Sequence, residues 1–159
     1  MVRKGIVLGH VISKDGIEVD KAKVDLISNL PLPRTVKEIR SFLGHTGFYR
    51  RFIKDFSKKA RLLSNLLAKD VPFEFDNDCL VDYETLEREL TYAQIIWPPD
   101  YAQPFELMCD VSNYATGTVL EQRINKMPHV IYYSSQTLND AQLNYSIIEK
   151  EFLAIVFAL

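Results

Sequence analysis

The spacing of apolar residues changes twice along this chain, and those changes limit what it can fold into. From Asp20 to Tyr92 they recur at helical intervals: Val24, Ile27 and Leu30, then Val36, Ile39, Phe42 and Leu43. Leu62, Leu63, Leu66 and Leu67 follow, then Leu80, Tyr83, Leu86 and Leu90. From Pro104 the period drops to two, with Phe105, Leu107 and Cys109 alternating with Glu106, Met108 and Asp110. Three strands are predicted there, at 104–110, 115–123 and 128–134. A helical period returns at Asn144, where Ile148, Phe152, Ile155, Val156 and Leu159 are expected to form the buried face. Helices first and antiparallel strands afterwards read as an α+β fold. The expected divisions are 1–19 (a β-hairpin), 20–70 (helical), 71–103 (a connector with one helix) and 104–159.

Local signals sharpen this outline. Gly5 to Ser13 is a β-rich run, and Lys14-Asp15-Gly16 supplies the turn that folds it back onto Ile17–Val19. Asp20 is the expected cap of a helix ending near Asn29, and Pro31 and Pro33 break the chain after it. Thr35 and Glu38 have the spacing of a capping box. Gly44 and Gly47 weaken the helix that follows, marking either a bend or a close approach to its backbone. A further helix is predicted over 58–69, then an acidic connector with a short strand over 71–77, then a helix capped by Asp78. Gly117 marks a bulge or a close backbone contact in the second of the later strands.

Charge divides the chain as clearly as periodicity does. Residues 1–69 carry fifteen Lys/Arg against six Asp/Glu, and residues 70–159 carry four against fifteen. This suits a polyanion-binding front joined to an acidic back, or two solvated surfaces of opposite sign. Two cysteines without metal-ligand spacing exclude a disulfide-stapled secreted domain and point to a reducing, intracellular setting. The apolar run Phe152–Leu159 is too short to span a bilayer, and no signal-peptide pattern opens the chain, so no membrane partner is expected.

Arg40, Gly44 and Phe48 fall at i, i+4 and i+8 and share one helix face. A base, a gap and an aromatic in line suit a nucleic-acid duplex: the base meets phosphate, and the gap admits the groove wall. The aromatic lies against sugar or base. The same spacing also suits a bent helix with a packed Phe. Arg50, Arg51 and Lys54 continue the basic stretch among Tyr49, Phe52 and Phe56. Asp110, at the end of the first predicted strand of the later group, is either a turn residue or a metal-binding carboxylate. Glu149 and Glu151 flank the expected buried face of the last helix, and periodicity does not choose between them.

Five segments, GIVLGHVIS (5–13), GIEVDKAKV (16–24), IRSFLGHTGFYRRFIKDFS (39–57), PFELMCDVSNYATGTVLEQR (104–123) and NYSIIEKEFLAIVFAL (144–159), together resemble the polyprotein of gypsy-type LTR retrotransposons. The resemblance runs over nearly the whole chain. It covers the end of the reverse transcriptase palm, the thumb and connecting region, and the opening half of the RNase H domain. It implies an α+β arrangement of a helical thumb followed by three antiparallel strands and the first helix of an RNase H-like unit. The implied activities of the parent protein are RNA-directed DNA synthesis and cleavage of RNA in RNA–DNA hybrids.

Position by position, Leu8, Gly9 and His10 match the hairpin that holds the primer terminus, and Arg40, Gly44 and Phe48 match the thumb-helix face that tracks the minor groove. Asp110 matches the first metal-binding carboxylate of RNase H, and Glu151, rather than Glu149, the second. The family holds two Mg²⁺ with four acidic positions, and the other two lie beyond the helix that contains Glu151. An incomplete catalytic centre, inactive by itself, is therefore the expectation, with an RNA–DNA hybrid or a template–primer duplex as partner. Val111, Thr118, Glu121 and Arg61 depart from the family pattern of alanine, alanine, glycine and proline.

Overall fold

A computed structural model describes residues 4–69 and 71–159. Residues 1–3 of the expected first segment, and Asp70 at the expected helical boundary, lie outside the described residues. The fold is α+β, with two three-stranded antiparallel sheets among the described residues.

The first sheet is a meander of β1 (Lys4–Val7), β2 (His10–Ser13) and β3 (Gly16–Val19). The single run expected over 5–13 is divided by a tight turn at Leu8 and Gly9, whose φ angles are 48° and 74°. Two successive left-handed residues give the twist that a two-residue hairpin needs. Leu8 adopts that conformation with a full side chain, which costs about 1–2 kcal/mol relative to ordinary backbone. Gly16 leaves no room for a Cβ, because the Ile96 carbonyl presses on it. Ile17 and Ile96 then exchange backbone hydrogen bonds of 2.9 Å, which close the sheet edge.

The helical layer follows. α1 (Lys21–Ser28) starts where the Asp20 carboxylate accepts the Ala22 amide at 3.1 Å. α2 (Val36–Phe48) has the expected capping box: the Thr35 hydroxyl accepts the Glu38 amide, and the Glu38 carboxylate accepts the Thr35 amide. It runs unbroken through Gly44 and Gly47. A 3₁₀ turn (Arg50–Phe52) leads to α3 (Phe56–Lys59) and α4 (Arg61–Asn65). The continuous helix expected over 58–69 is therefore two short ones. The Leu62 amide, which an unbroken helix would direct to Lys58, points to the Asp82 carboxylate at 3.4 Å.

α5 (Asn77–Thr91) is capped by Asp76 rather than Asp78, because the extended backbone at Asp76 lets its carboxylate accept the Cys79 amide at 2.8 Å. The strand expected over 71–77 is absent among the described residues; Phe73 and Phe75 pack against the core instead. That core takes Ile27 from α1, Ile39 and Phe42 from α2, Leu63 from α4, and Leu86 and Leu90 from α5. The Phe42 and Tyr83 rings stack within it at 4.0 Å.

The second sheet runs β4 (Glu106–Val111), β5 (Ala115–Ile124) and β6 (Met127–Thr137) in sequence order. Its bulge lies between Leu120 and Glu121, not at Gly117. Gly117 makes the close contact that was the other expectation there: the Asp55 carboxylate sits where its Cβ would be. Alternation places Asp110, directly opposite Gly117, on that same face. Ser57 and Ser135 join the helical layer to this sheet, the Ser57 amide donating to the Ser135 hydroxyl at 2.9 Å. Arg61 stacks over the Tyr114 ring at 4.5 Å across the same seam. Trp97 packs on His129 with ring centroids 4.0 Å apart.

After α6 (Asp140–Leu143), α7 (Ile147–Ala158) packs on β4 and β5. The face expected to be buried is the exposed one: Ile148 and Phe152 are each 65% exposed and Val156 is 70% exposed, with Ile155 and Leu159 also in solvent. Lys150 and Ala154 are the buried positions. Apolar residues surround this helix on most sides, so periodicity picks no unique face, and the small Ala154 allows close approach to the sheet. Among the described residues no helix is long and apolar enough to cross a membrane.

Candidate nucleic-acid interface

The β1–β2 turn is tied to the end of α2 by one buried hydroxyl. Tyr49, only 3% exposed, donates to the Gly9 carbonyl at 2.9 Å. Burial, and secondarily the charge of Asp20, push the phenol pKa upward, so the hydroxyl stays a donor at neutral pH. His10 packs among three rings, with centroids 5.0 Å from Phe48, 5.5 Å from Tyr49 and 5.8 Å from Phe52. Its Nδ1 lies 3.0 Å from the Leu8 carbonyl, which it reaches as an N–H donor. A Cβ at Gly9 would come within 3.1 Å of the Phe48 ring, so that ring packs directly on the turn backbone.

Beside this junction lies an open groove of about 470 Å³ lined by Leu8, Gly9, Lys23, Leu26, Gly44 and Phe48, among others. Leu8 is 88% exposed and Phe48 52% exposed, so both present apolar surface outward. A Cβ at Gly44 would meet nothing within 4 Å. Glycine in a helix interior costs about 1 kcal/mol relative to alanine, and no protein atom here requires it. The bend that Gly44 could have marked does not interrupt α2. Leu8, Gly9, His10, Gly44 and Phe48 therefore converge, and Arg40 continues the same helix face one turn back, exposed. Arg50 is exposed beyond the helix end. Arg51 leaves the group: its guanidinium lies 5.4 Å from the Tyr132 ring, against the second sheet.

The acidic residues stand elsewhere. Asp110 is exposed at the end of β4 and lines a narrow cleft with Asp55, Lys58 and Ser112. Glu151 is exposed on α7, the helix that packs on Asp110's strand. Glu149 is engaged locally, accepting both the hydroxyl and the amide of Ser146 at 2.8 Å. The Ser146 hydroxyl is the main cause of its lowered pKa. Both Asp110 and Glu151 are hard oxygen donors suited to Mg²⁺. Among the described residues, however, no three Asp, Glu, His or Cys gather as a metal site, so the ligands present do not close one. Of the departures, Thr118 and Glu121 are buried in β5, Val111 is half-buried in β4, and Arg61 forms the stack on Tyr114.

Tyr49, Lys23 and Leu26 were not singled out from the sequence. Tyr49 sits one residue beyond the Arg40–Gly44–Phe48 face, so spacing excludes it from that face. Lys23 and Leu26 lie on α1, whose helical stripe pointed only to its core side. Cys79 is buried, which raises its thiol to about 11, and Cys109 is half-buried and also raised by burial; neither is poised as a nucleophile.

Residues 75–159 match the family described as the RNase H-like domain found in reverse transcriptase. The chain is 39% identical over 163 residues to the retrovirus-related Pol polyprotein of transposon opus from Drosophila melanogaster, covering 96% of this chain and 16% of that protein. It is 36% identical over 164 residues to the Pol polyprotein of transposon gypsy from the same organism, again covering 96% and 16%. It thus spans less than a fifth of the length of these relatives. Among solved structures, the foamy viral protease–reverse transcriptase in complex with dsDNA aligns with 99% of this chain and 33% of its own, with a TM-score of 0.83 at 22% identity. The same viral protein in complex with RNA/DNA hybrid aligns with 98% of this chain and 21% of its own, with a TM-score of 0.81 at 23% identity. At that identity the likeness establishes the fold. A family match over more than half of the residues, on an α+β fold shared with a reverse transcriptase, makes this chain a member of the RNase H-like domain family found in reverse transcriptases, with retrotransposon Pol polyproteins as its relatives.

Proposed function

We propose that this chain is the duplex-gripping part of a retrotransposon reverse transcriptase joined to the opening of its RNase H unit. In this reading residues 20–70 form the thumb and the β1–β2 turn holds the primer terminus. The groove between them receives the minor groove of a template–primer duplex or an RNA–DNA hybrid. The observation that carries the reading is Gly44, a helix-interior glycine whose missing side chain faces open space between two exposed apolar residues, Leu8 and Phe48. A glycine that the fold does not need is explained by a partner that approaches the helix backbone. The strained backbone at Leu8 supports the same reading, since strain of that kind collects at functional sites. So does the basic balance of residues 1–69, together with the dsDNA and RNA/DNA hybrid held by the foamy viral enzyme of like fold.

Asp110 and Glu151 are, in this proposal, the contribution of these residues to a two-Mg²⁺ RNase H site, and the remaining ligands come from elsewhere in the polyprotein. Two carboxylates leave most of the near-octahedral shells of two magnesium ions unfilled, so Asp110 and Glu151 would hold metal only together with further acidic ligands.

The test is fluorescence anisotropy with a labelled RNA–DNA hybrid across a salt series. Affinity should fall steeply with salt, and Arg40→Ala should lower the slope of log affinity against log salt by about one. Phe48→Ala should weaken binding roughly tenfold with the slope unchanged, because it removes a stacking surface and no charge. Binding that ignores salt, or that survives both substitutions, would refute the grip.

A further inference from the structure

The groove has a wall that the duplex reading leaves unused. α1 brings Lys23 and Leu26 to it, one helical turn apart, facing the Leu8–Gly9 turn and the Gly44–Phe48 end of α2. Leu26 is about half exposed although it belongs to a helix that buries Val24 and Ile27. Lys23 is exposed and has no ion-pair partner among the described residues. At about 470 Å³ the space between the three walls has the size of a ligand pocket, where a flat track would leave no such hollow. A fully paired duplex offers phosphates and groove edges and keeps its base faces stacked inside, away from Leu26 and Phe48. An unpaired nucleotide does protrude. Its base is a flat plate with an apolar face, and its phosphate carries a charge that Lys23 complements within the basic half of the chain.

We infer that the hollow between α1, α2 and the β1–β2 turn seats one unpaired nucleotide at the end of the bound duplex, its base on Leu26 and Phe48 and its phosphate toward Lys23. The inference rests on the groove being a duplex grip. It selects an unpaired nucleotide because pulling a base out of the stack costs least where no partner holds it. Aromatic and aliphatic faces accept any base, so the preference is for the unpaired state and not for a sequence.

The experiment compares the whole chain on a blunt duplex and on the same duplex carrying one unpaired 3′ 2-aminopurine nucleotide, at one salt concentration. The wild-type chain should bind the second roughly tenfold more tightly, toward the lower end of what one base stack is worth, and should quench the 2-aminopurine. In Leu26→Asp the ratio of the two affinities should fall to about one and the quenching should vanish, since a carboxylate repels the phosphate and unseats the base. In Lys23→Ala the preference should shrink and lose part of its salt dependence. If the wild type binds both duplexes equally, with unquenched 2-aminopurine, the seat for the nucleotide is refuted while a salt-dependent, Phe48-dependent grip still stands. No duplex binding at all would sink both. Should circular dichroism show Leu26→Asp unfolded, the wild-type quenching and Lys23→Ala decide the matter.

Discussion

Gly44→Ala separates what the fold needs from what a partner needs, because the two respond with opposite signs. The position is an exposed helix interior, and beyond the helix's own backbone the new methyl would meet no heavy atom within 4 Å. Removing the backbone freedom of glycine without adding a clash should stabilise the free chain by about 1 kcal/mol. For a chain of this length that is a rise in Tm of roughly 2–4 °C, well within the reach of differential scanning fluorimetry. Binding should move the other way. The methyl stands between the α2 backbone and the groove wall, and carbon atoms pack at about 3.5–4 Å, so the duplex is held off Leu8 and Phe48 together. We expect at least a tenfold loss of affinity, about 1.4 kcal/mol, with an unchanged salt slope because no phosphate contact is removed. A variant that is more stable and binds as well as the wild type would refute the claim that a partner approaches Gly44. A variant that is less stable would refute the claim that the space is open.

Three other perturbations test other parts of the molecule. Glu38, Asp76 and Glu149 all cap helices, and their pKa values are lowered mainly by hydrogen bonds from the Arg34 amide, the Cys79 amide and the Ser146 hydroxyl respectively. A lowered folded-state pKa gives stability that is complete above the unfolded values, near 4.5 for glutamate and 3.8 for aspartate, and is lost as pH falls through the folded ones. Tm should therefore drop in acid below about pH 4.5, and the triple change Glu38→Gln, Asp76→Asn, Glu149→Gln should flatten that limb; an unaltered limb would refute the assignment. Gly117→Ala should destabilise by about 1–3 kcal/mol through collision with the Asp55 carboxylate, and adding Asp55→Gly should restore much of it; strictly additive denaturation midpoints would show that the two do not meet. Asp110→Asn should leave hybrid affinity within about twofold, since Asp110 lies outside the groove lined by Leu8 and Phe48; a larger change in anisotropy would place the duplex on the second sheet as well.

The parts of this fold that could be read from the sequence are those fixed by local chemistry. The Thr35–Glu38 box and the Asp20 cap each depend on a few neighbouring residues, and each stands where the sequence put it. What failed depends on distant partners. The break between α3 and α4 involves Asp82, twenty residues from the Leu62 amide it accepts. The exposed side of α7 follows from a helix so apolar that only the sheet decides which side it docks. The Leu8–Gly9 turn was hidden inside a β-rich run, because leucine in a left-handed conformation is not a turn signal. At the groove, the face formed by Arg40, Gly44 and Phe48 could be read from spacing. Tyr49 could not, because its role lies in a hydrogen bond to a residue forty positions away.

The glycines show how structure turns an ambiguous letter into an argument. In the sequence Gly44 and Gly117 each carry two readings, a local irregularity or a close approach, while Gly16 reads as a turn residue. In the fold, a side chain at Gly9 would press on Phe48, one at Gly16 would collide with the Ile96 carbonyl, and one at Gly117 would collide with Asp55. Each of these three has a neighbour within the chain that a side chain would meet. Gly44 has no such neighbour, so the approach that justifies it comes from outside the described residues. Its surroundings, with a base one turn before, exposed apolar side chains beside it and a basic half-chain around it, suit the sugar–phosphate surface that the proposed function places there.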